Sequence, residues 1–127
     1  MMSQGVTKEH TELAKNVVVY GLVARAMMSR GSEVSVSIKK LVDAYVQLFV
    51  DDEEERRRVR KVALTPVVMS VIRHYIRVIA EKSGFLSREW EIKSRHEYIF
   101  DARKMREYLN DDPRNLIEHL MGVVADA

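Results

Sequence analysis

Scarcity of helix-breaking residues most constrains how this 127-residue chain folds, because it contains only five glycines and two prolines. Both prolines directly follow a residue that can cap a helix, in Thr65-Pro66 and in Asp112-Pro113. Proline is favoured at the first helical position because its missing N–H would have no partner there. The two prolines are therefore expected to start helices, and the sequence predicts a mostly α-helical protein with few loops.

Capping residues and apolar periodicity divide the chain into elements. Six helices are predicted, over about 7–29, 37–50, 52–63 and 66–82, from 101 onward and from 113 onward. Residues 33–37 alternate between apolar and polar and predict a short strand, while residues 90–100 predict a β-hairpin with a polar tip. Gly21, inside the first helix, allows the close approach of another backbone.

Length and composition limit the class of protein. The chain suits one domain over residues 1–127, and 46% hydrophobic with 31% charged residues is typical of a soluble globular protein. No apolar run reaches the roughly 18 residues of a membrane span, and the residues Met1–Gly5 do not predict a signal peptide. We therefore expect no membrane association and a cytoplasmic location. Asn and Gln are rare and charges abundant, as in proteins from hot environments.

The predicted helix 66–82 has the most informative division of faces. At about 100° per residue, four polar residues lie within about a third of its circumference: Ser70, Arg73, His74 and Arg77. Apolar residues lie on the opposite side: Val68, Val71, Ile72, Tyr75 and Ile79. A helix in the DNA major groove needs this arrangement, because its back packs on the domain while polar side chains reach the bases and phosphates. An ordinary amphipathic helix has the same pattern, and Glu81 on the polar stripe would repel phosphate.

The order of elements resembles the winged helix-turn-helix family. Between residues 33 and 100 a helix at Ser37–Val50 precedes a polar helix at Asp52–Ala63, a tight turn, the helix 66–82 and a hairpin at Trp90–Phe100. The segment 76–86 is similar to the end of a recognition helix that runs into the wing, and the wing here would be the hairpin Trp90–Phe100. The resemblance implies a winged-helix-like core over 33–100, flanked by an N-terminal helix in 7–32 and C-terminal helices in 101–127.

The same resemblance implies where DNA would be contacted. Helix 66–82 would lie in the major groove, and the wing tip would hold the backbone or minor groove through Lys93, Arg95 and His96. The polar helix would lie across the DNA backbone, so that Arg57, Arg60 and Lys61 could touch phosphate. The other interpretation is that the acids at 53–55 neutralise these bases in pairs along a solvated helix.

Motifs of catalysis and metal binding are missing from the sequence. There is no cysteine, no histidine pair at zinc-ligand spacing, no nucleophile–base motif and no phosphate-cradling glycine loop. We therefore predict no enzymatic activity, no cofactor and no metal. The prediction is a DNA-binding protein, a transcriptional regulator whose partner is double-stranded DNA. The alternative is a small helical interaction or scaffold subunit of a larger nucleoprotein complex.

The terminal helices carry apolar residues that a core built from 33–100 would leave without partners. They are Leu13, Val17, Tyr20, Ala24 and Met27 in the first helix and Leu116, Ile117, Leu120 and Met121 in the last. Soluble monomers usually avoid such exposed patches, and two-fold dimers are the commonest assembly. These residues therefore predict a homodimer interface. The alternative is that residues 13–27 pack against 116–124 within one chain.

Overall fold

Helices dominate the computed structural model, which describes residues 5–92 and 95–126, with the side chains of 90–96 outside the description. The elements within these ranges are α1 (Lys8–Met28), β1 (Glu33–Val36), α2 (Ile38–Phe49), α3 (Glu53–Ala63), α4 (Pro66–Lys82), β2 (Leu86–Ile92), β3 (Arg95–Asp101), α5 (Ala102–Leu109) and α6 (Pro113–Ala125). The described strands form an antiparallel sheet in the order β1-β3-β2. The protein is therefore mostly α-helical with a small hairpin, which confirms the predicted fold class.

Local hydrogen bonds explain why the predicted helix starts are correct. Side chains accept from backbone N–H groups in the first turns of α1, α2, α3, α5 and α6, at the N-caps Thr7, Ser37, Asp52, Asp101 and Asp112. Thr65 differs from the prediction, because its hydroxyl donates to the carbonyl of Val62 at 2.7 Å instead of capping α4. Pro66 nevertheless occupies the first turn of α4, where a missing N–H costs nothing.

The hairpin begins four residues earlier than the predicted 90–100. β2 starts at Leu86, and the register shifts between Leu86 and Arg88 as the strand pairs with β3. Ser87, Arg88 and Glu89 are all exposed, and the irregular pairing between Leu86 and Arg88 interrupts the strand there. Its first half consequently lacks the apolar–polar alternation that a half-buried strand would show.

Helix α1 lies inside the fold and supplies much of its core. Nine of its residues are buried, and it packs against α2, α4, α5 and α6. The main apolar cluster takes side chains from all of these helices, from Ala63 of α3, and from the strands β1 and β3. A smaller cluster of Val46, Val50 and Val59 lies between α2 and α3, and Leu13 and Tyr45 pack against both clusters. The helix predicted to flank a core built from residues 33–100 thus contributes directly to the core of the protein.

The residues predicted to form a dimer interface are largely used within the chain. Val17, Ala24, Leu116 and Leu120 are fully buried, and Leu13, Ile117 and Met121 pack against the same core. Tyr20 contacts the rings of Tyr45 and Phe49, while Met27 is exposed. The fully buried side chains are not available to a second copy, because their partners lie in the same protomer. The intramolecular alternative describes their packing, and homodimerisation stays a prediction that would need another surface.

Arg106 ties α5 to the end of α1. Its guanidinium donates to the carbonyl of Ser29 at 3.1 Å, to that of Gly31 at 2.7 Å and to that of Ala26 at 3.4 Å. Carbonyls at a helix C-terminus lack intrahelical partners, and a basic side chain satisfies them. The loop that leads into β1 is held in place by these bonds.

No single helix in the described ranges is both long and apolar enough to cross a membrane. Helices α3 and α4 are long and apolar enough only when taken together, and the chain bends by 85° between them.

Candidate nucleic-acid interface

Helix α4 has one buried face and one exposed polar stripe, as its sequence predicts. Ile72 and Ile79 are fully buried and Tyr75 is 6% exposed. The exposed stripe consists of Ser70, Arg73, His74, Arg77 and Glu81. The core therefore fixes the rotation of α4, and the predicted base-contacting residues all point to solvent.

The two arginines of this stripe have no polar partner among the described residues. Arg73 and Arg77 form no hydrogen bond or ion pair with any residue in the described part of the chain. The ring of His74 lies 5.3 Å from that of Tyr75, the next residue. A guanidinium carries five N–H donors in a fixed fork, so both groups are free to bind a planar pair of acceptors or a phosphate.

Helices α3 and α4 form a sharp corner. The chain bends by 85° between them, across the two residues Leu64 and Thr65. Helix-turn-helix motifs join two helices at about 90–120° through a turn of three to four residues. The bend here is slightly smaller and the turn is shorter, and the hydrogen bond from the Thr65 hydroxyl to the carbonyl of Val62 closes it.

The basic run on α3 divides into two groups. Arg56 donates to the carbonyl of Val50, Arg58 pairs with Glu55, and Arg60 lies 3.6 Å from Asp43 of α2. These contacts attach α3 to α2 or neutralise charge along α3 itself. Arg60, predicted to touch phosphate, is therefore already engaged with a carboxylate, a pairing hidden from the sequence because Asp43 lies on another helix.

Arg57 and Lys61 form the second group. Both are exposed, and neither has a hydrogen bond or ion pair with another of the residues that the structure describes. They stand four residues apart, on the side of α3 opposite to the buried Val59 and Ala63. These two remain available to an anion outside the protein.

The predicted wing residues fall at the limit of the described chain. Lys93 lies outside the described residues. Arg95 and His96 begin strand β3, and their backbones pair with Ile92 and Glu91 of β2. Their side chains are outside the description, so their contact with DNA stays a prediction.

A cleft of about 590 Å³ lies elsewhere, between α1, α2 and α3. Its apolar wall includes Leu13 and Val59, and burial raises the pKa of Tyr45, which also lines it. Arg58 at the rim donates to Glu55 and so holds the pKa of that carboxyl below its ordinary value. The cleft thus offers a half-buried tyrosine beside an ion pair that is already neutralised.

Metal-type clusters are also missing from the side chains that the structure describes, those of 5–89 and 97–126, where no three His, Asp or Glu residues are arranged to hold an ion. Comparison with known proteins finds no match for the chain among family models, curated proteins or solved structures.

Proposed function

We propose that the protein binds double-stranded DNA through α4 in the major groove and acts as a transcriptional regulator. The observation that carries this proposal is the pair Arg73 and Arg77, which are exposed and have no partner among the described residues, on a helix whose opposite face is buried. An arginine binds guanine by donating to its O6 and N7 atoms together, the commonest specific contact in the major groove. A recognition helix needs such donors on a rigid support, and the buried face of α4 provides one.

The surroundings of α4 support the same proposal. Helix α3 precedes it at nearly a right angle, and a hairpin follows it, the order in which the winged helix-turn-helix resemblance places these elements. In this arrangement α3 lies across the DNA backbone, and Arg57 and Lys61 bind phosphates. The wing is assigned to the hairpin tip, with Lys93, Arg95 and His96.

The double substitution Arg73→Ala with Arg77→Ala tests the recognition helix. We expect it to weaken binding to a selected DNA site by at least about 30-fold, because each of the two bidentate arginine–guanine contacts contributes about 1–3 kcal/mol. The melting temperature should not change, since both side chains are exposed and unpaired among the described residues. Affinity is measured by fluorescence anisotropy, and stability by circular dichroism.

A matched control is Arg103→Ala with Arg114→Ala. It removes the same charge from exposed arginines of α5 and α6, whose partners Glu107 and Asp112 are local. Its affinity should stay within about twofold of the parent, because both arginines lie outside the proposed interface of α3, α4 and the hairpin. Its stability should also change little, because exposed ion pairs contribute little to folding. Equal losses in both double variants would mean that only net charge matters and that α4 is not the recognition helix.

The substitutions Arg57→Gln with Lys61→Gln test the phosphate contacts. Affinity for DNA falls linearly with the logarithm of salt concentration, with a slope of about −0.9 per neutralised phosphate. We expect this variant to lower the magnitude of the slope by about 2 and to leave sequence preference unchanged. A slope equal to that of the parent would remove α3 from the interface.

The alternative function, a helical interaction subunit, draws on a different surface. Tyr108 is 46% exposed and its ring contacts those of Phe85 and His119. Exposed aromatic residues are enriched where proteins meet. If the purified protein binds no double-stranded DNA at low salt, the DNA-binding proposal is wrong and this surface becomes the one to pursue.

A further inference from the structure

Glu81 is the acidic member of an otherwise basic and neutral stripe on α4. It is exposed, four residues beyond Arg77 and eight beyond Arg73, on the same side of the helix. The spacing permits an ion pair with Arg77, yet Glu81 forms no hydrogen bond or ion pair with any residue that the structure describes. Its carboxylate is as free as the two guanidinium groups.

Neither helix stability nor general phosphate binding explains an acid at this position. Glu81 lies in the last turn of α4, where the helix dipole presents its negative end and favours a base. An arginine followed by an acid four residues later is also the weaker order for a helical ion pair. A carboxylate on a surface that contacts DNA is repelled by the phosphate backbone, unless it lies in the groove against a hydrogen-bond donor of a base.

The major groove offers two kinds of base donor, the N4 amino group of cytosine and the N6 amino group of adenine. Adenine presents its N7 acceptor beside the amino group, and a carboxylate has no proton to give to N7. Cytosine presents no acceptor of its own on that edge, so a carboxylate accepts from its amino group without repulsion from the same base. The chemistry therefore favours cytosine over adenine.

The spacing along α4 fits neighbouring base pairs. Residues four apart in a helix are separated by about 6 Å along its axis, and two base-pair steps of B-DNA cover about 6.8 Å. A helix aligned with the groove thus brings Arg77 and Glu81 to bases about two pairs apart. Arginine selects guanine there and glutamate selects cytosine.

We propose that Glu81 is a specificity-determining residue that reads a cytosine about two base pairs from the guanine read by Arg77. This inference rests on the proposed function, because it concerns the same helix in the same groove. The target would then be a duplex that contains G·C pairs. The carboxylate of Glu81 would weaken binding to other sequences and so favour the matching site.

The test is selection of binding sites from a library of random double-stranded DNA with the parent, Glu81→Gln and Glu81→Ala. The parent should enrich one position for cytosine. Glutamine pairs with adenine N6 and N7, so Glu81→Gln should change that position from cytosine to adenine, by about tenfold in relative affinity. Glu81→Ala should lose the preference at this position alone and bind random DNA more tightly than the parent.

Glu118→Gln is the matched control, because it removes an exposed carboxylate from α6, which packs on the buried side of α4. It should reproduce the selected site of the parent. If both Glu81 variants gain affinity for every sequence equally, or if the parent shows no base preference, the inference is wrong while DNA binding stands. If the parent binds no DNA even at low salt, the proposed function itself is wrong and the inference falls with it.

Discussion

Replacing Gly21 by alanine is expected to destabilise the protein by about 3 kcal/mol, as overpacking of a tight core does. A Cβ atom at this position would lie 2.6 Å from the carbonyl oxygen of Leu41 and 3.1 Å from its Cα. Both are backbone atoms, so no side-chain rotation relieves the contact, and α1 must move away from α2. The gain of about 1 kcal/mol in helix propensity is smaller than this cost. Thermal unfolding should show a melting temperature lower by roughly 10 °C.

Gly122→Ala is the matched control for this substitution. Gly122 also lies within a helix, α6, but it is exposed and a Cβ there would meet no described atom within 4 Å. The same chemical change should therefore stabilise the protein, by up to about 1 kcal/mol. If both variants were stabilised alike, the close contact between α1 and α2 would be disproved.

Tyr75→Ala should cost about 3–5 kcal/mol, the range for truncating a large buried aromatic side chain. Its ring packs in the main core at the centre of the buried face of α4, with the ammonium of Lys15 5.8 Å from the ring centroid. The loss is measured by urea unfolding monitored by circular dichroism. Because the buried face fixes the rotation of α4, this measurement also tests which side of the helix is exposed, on which the proposed DNA contacts depend.

Tyr108→Ala serves for comparison, since it removes the same side chain from a half-exposed position on α5. Its ring contacts Phe85 and His119, so a loss of about 1 kcal/mol is expected. Should Tyr75→Ala unfold at the same urea concentration as the parent, α4 would be rotated differently, and the assignment of Arg73 and Arg77 to the interface would fail.

Short-range signals in the sequence predicted the elements well. A cap depends on a side chain and a backbone N–H within three residues, so Ser37 and Asp52 mark their helices without any knowledge of the fold. The faces of α4 follow in the same way from helical periodicity. The exposed side of a helix is therefore predictable wherever the buried side is strongly apolar.

Long-range pairing could not be predicted from the same signals. The apolar stripe of α1 indicates that a partner surface exists, but periodicity does not distinguish a second copy from α6 of the same chain. The ion pair between Arg60 and Asp43 joins two helices, so the sequence of α3 alone overstated how many of its basic side chains are available to bind phosphate. The polar edge strand around Arg88 depends on pairing with β3, and its own residues gave no periodic signal.

The separate small cluster of Val46, Val50 and Val59 has a consequence for motion. Helix α3 is anchored by this cluster, by polar ties such as Arg56 to Val50, and by Ala63 and Val62 alone at the main core. Elements with few buried apolar contacts open locally at a lower free energy than the whole protein. An anion that binds to Arg57 and Lys61 would add to the local stability of α3 by mass action. Docking of this helix and capture of an anion would then be thermodynamically linked, so that each strengthens the other.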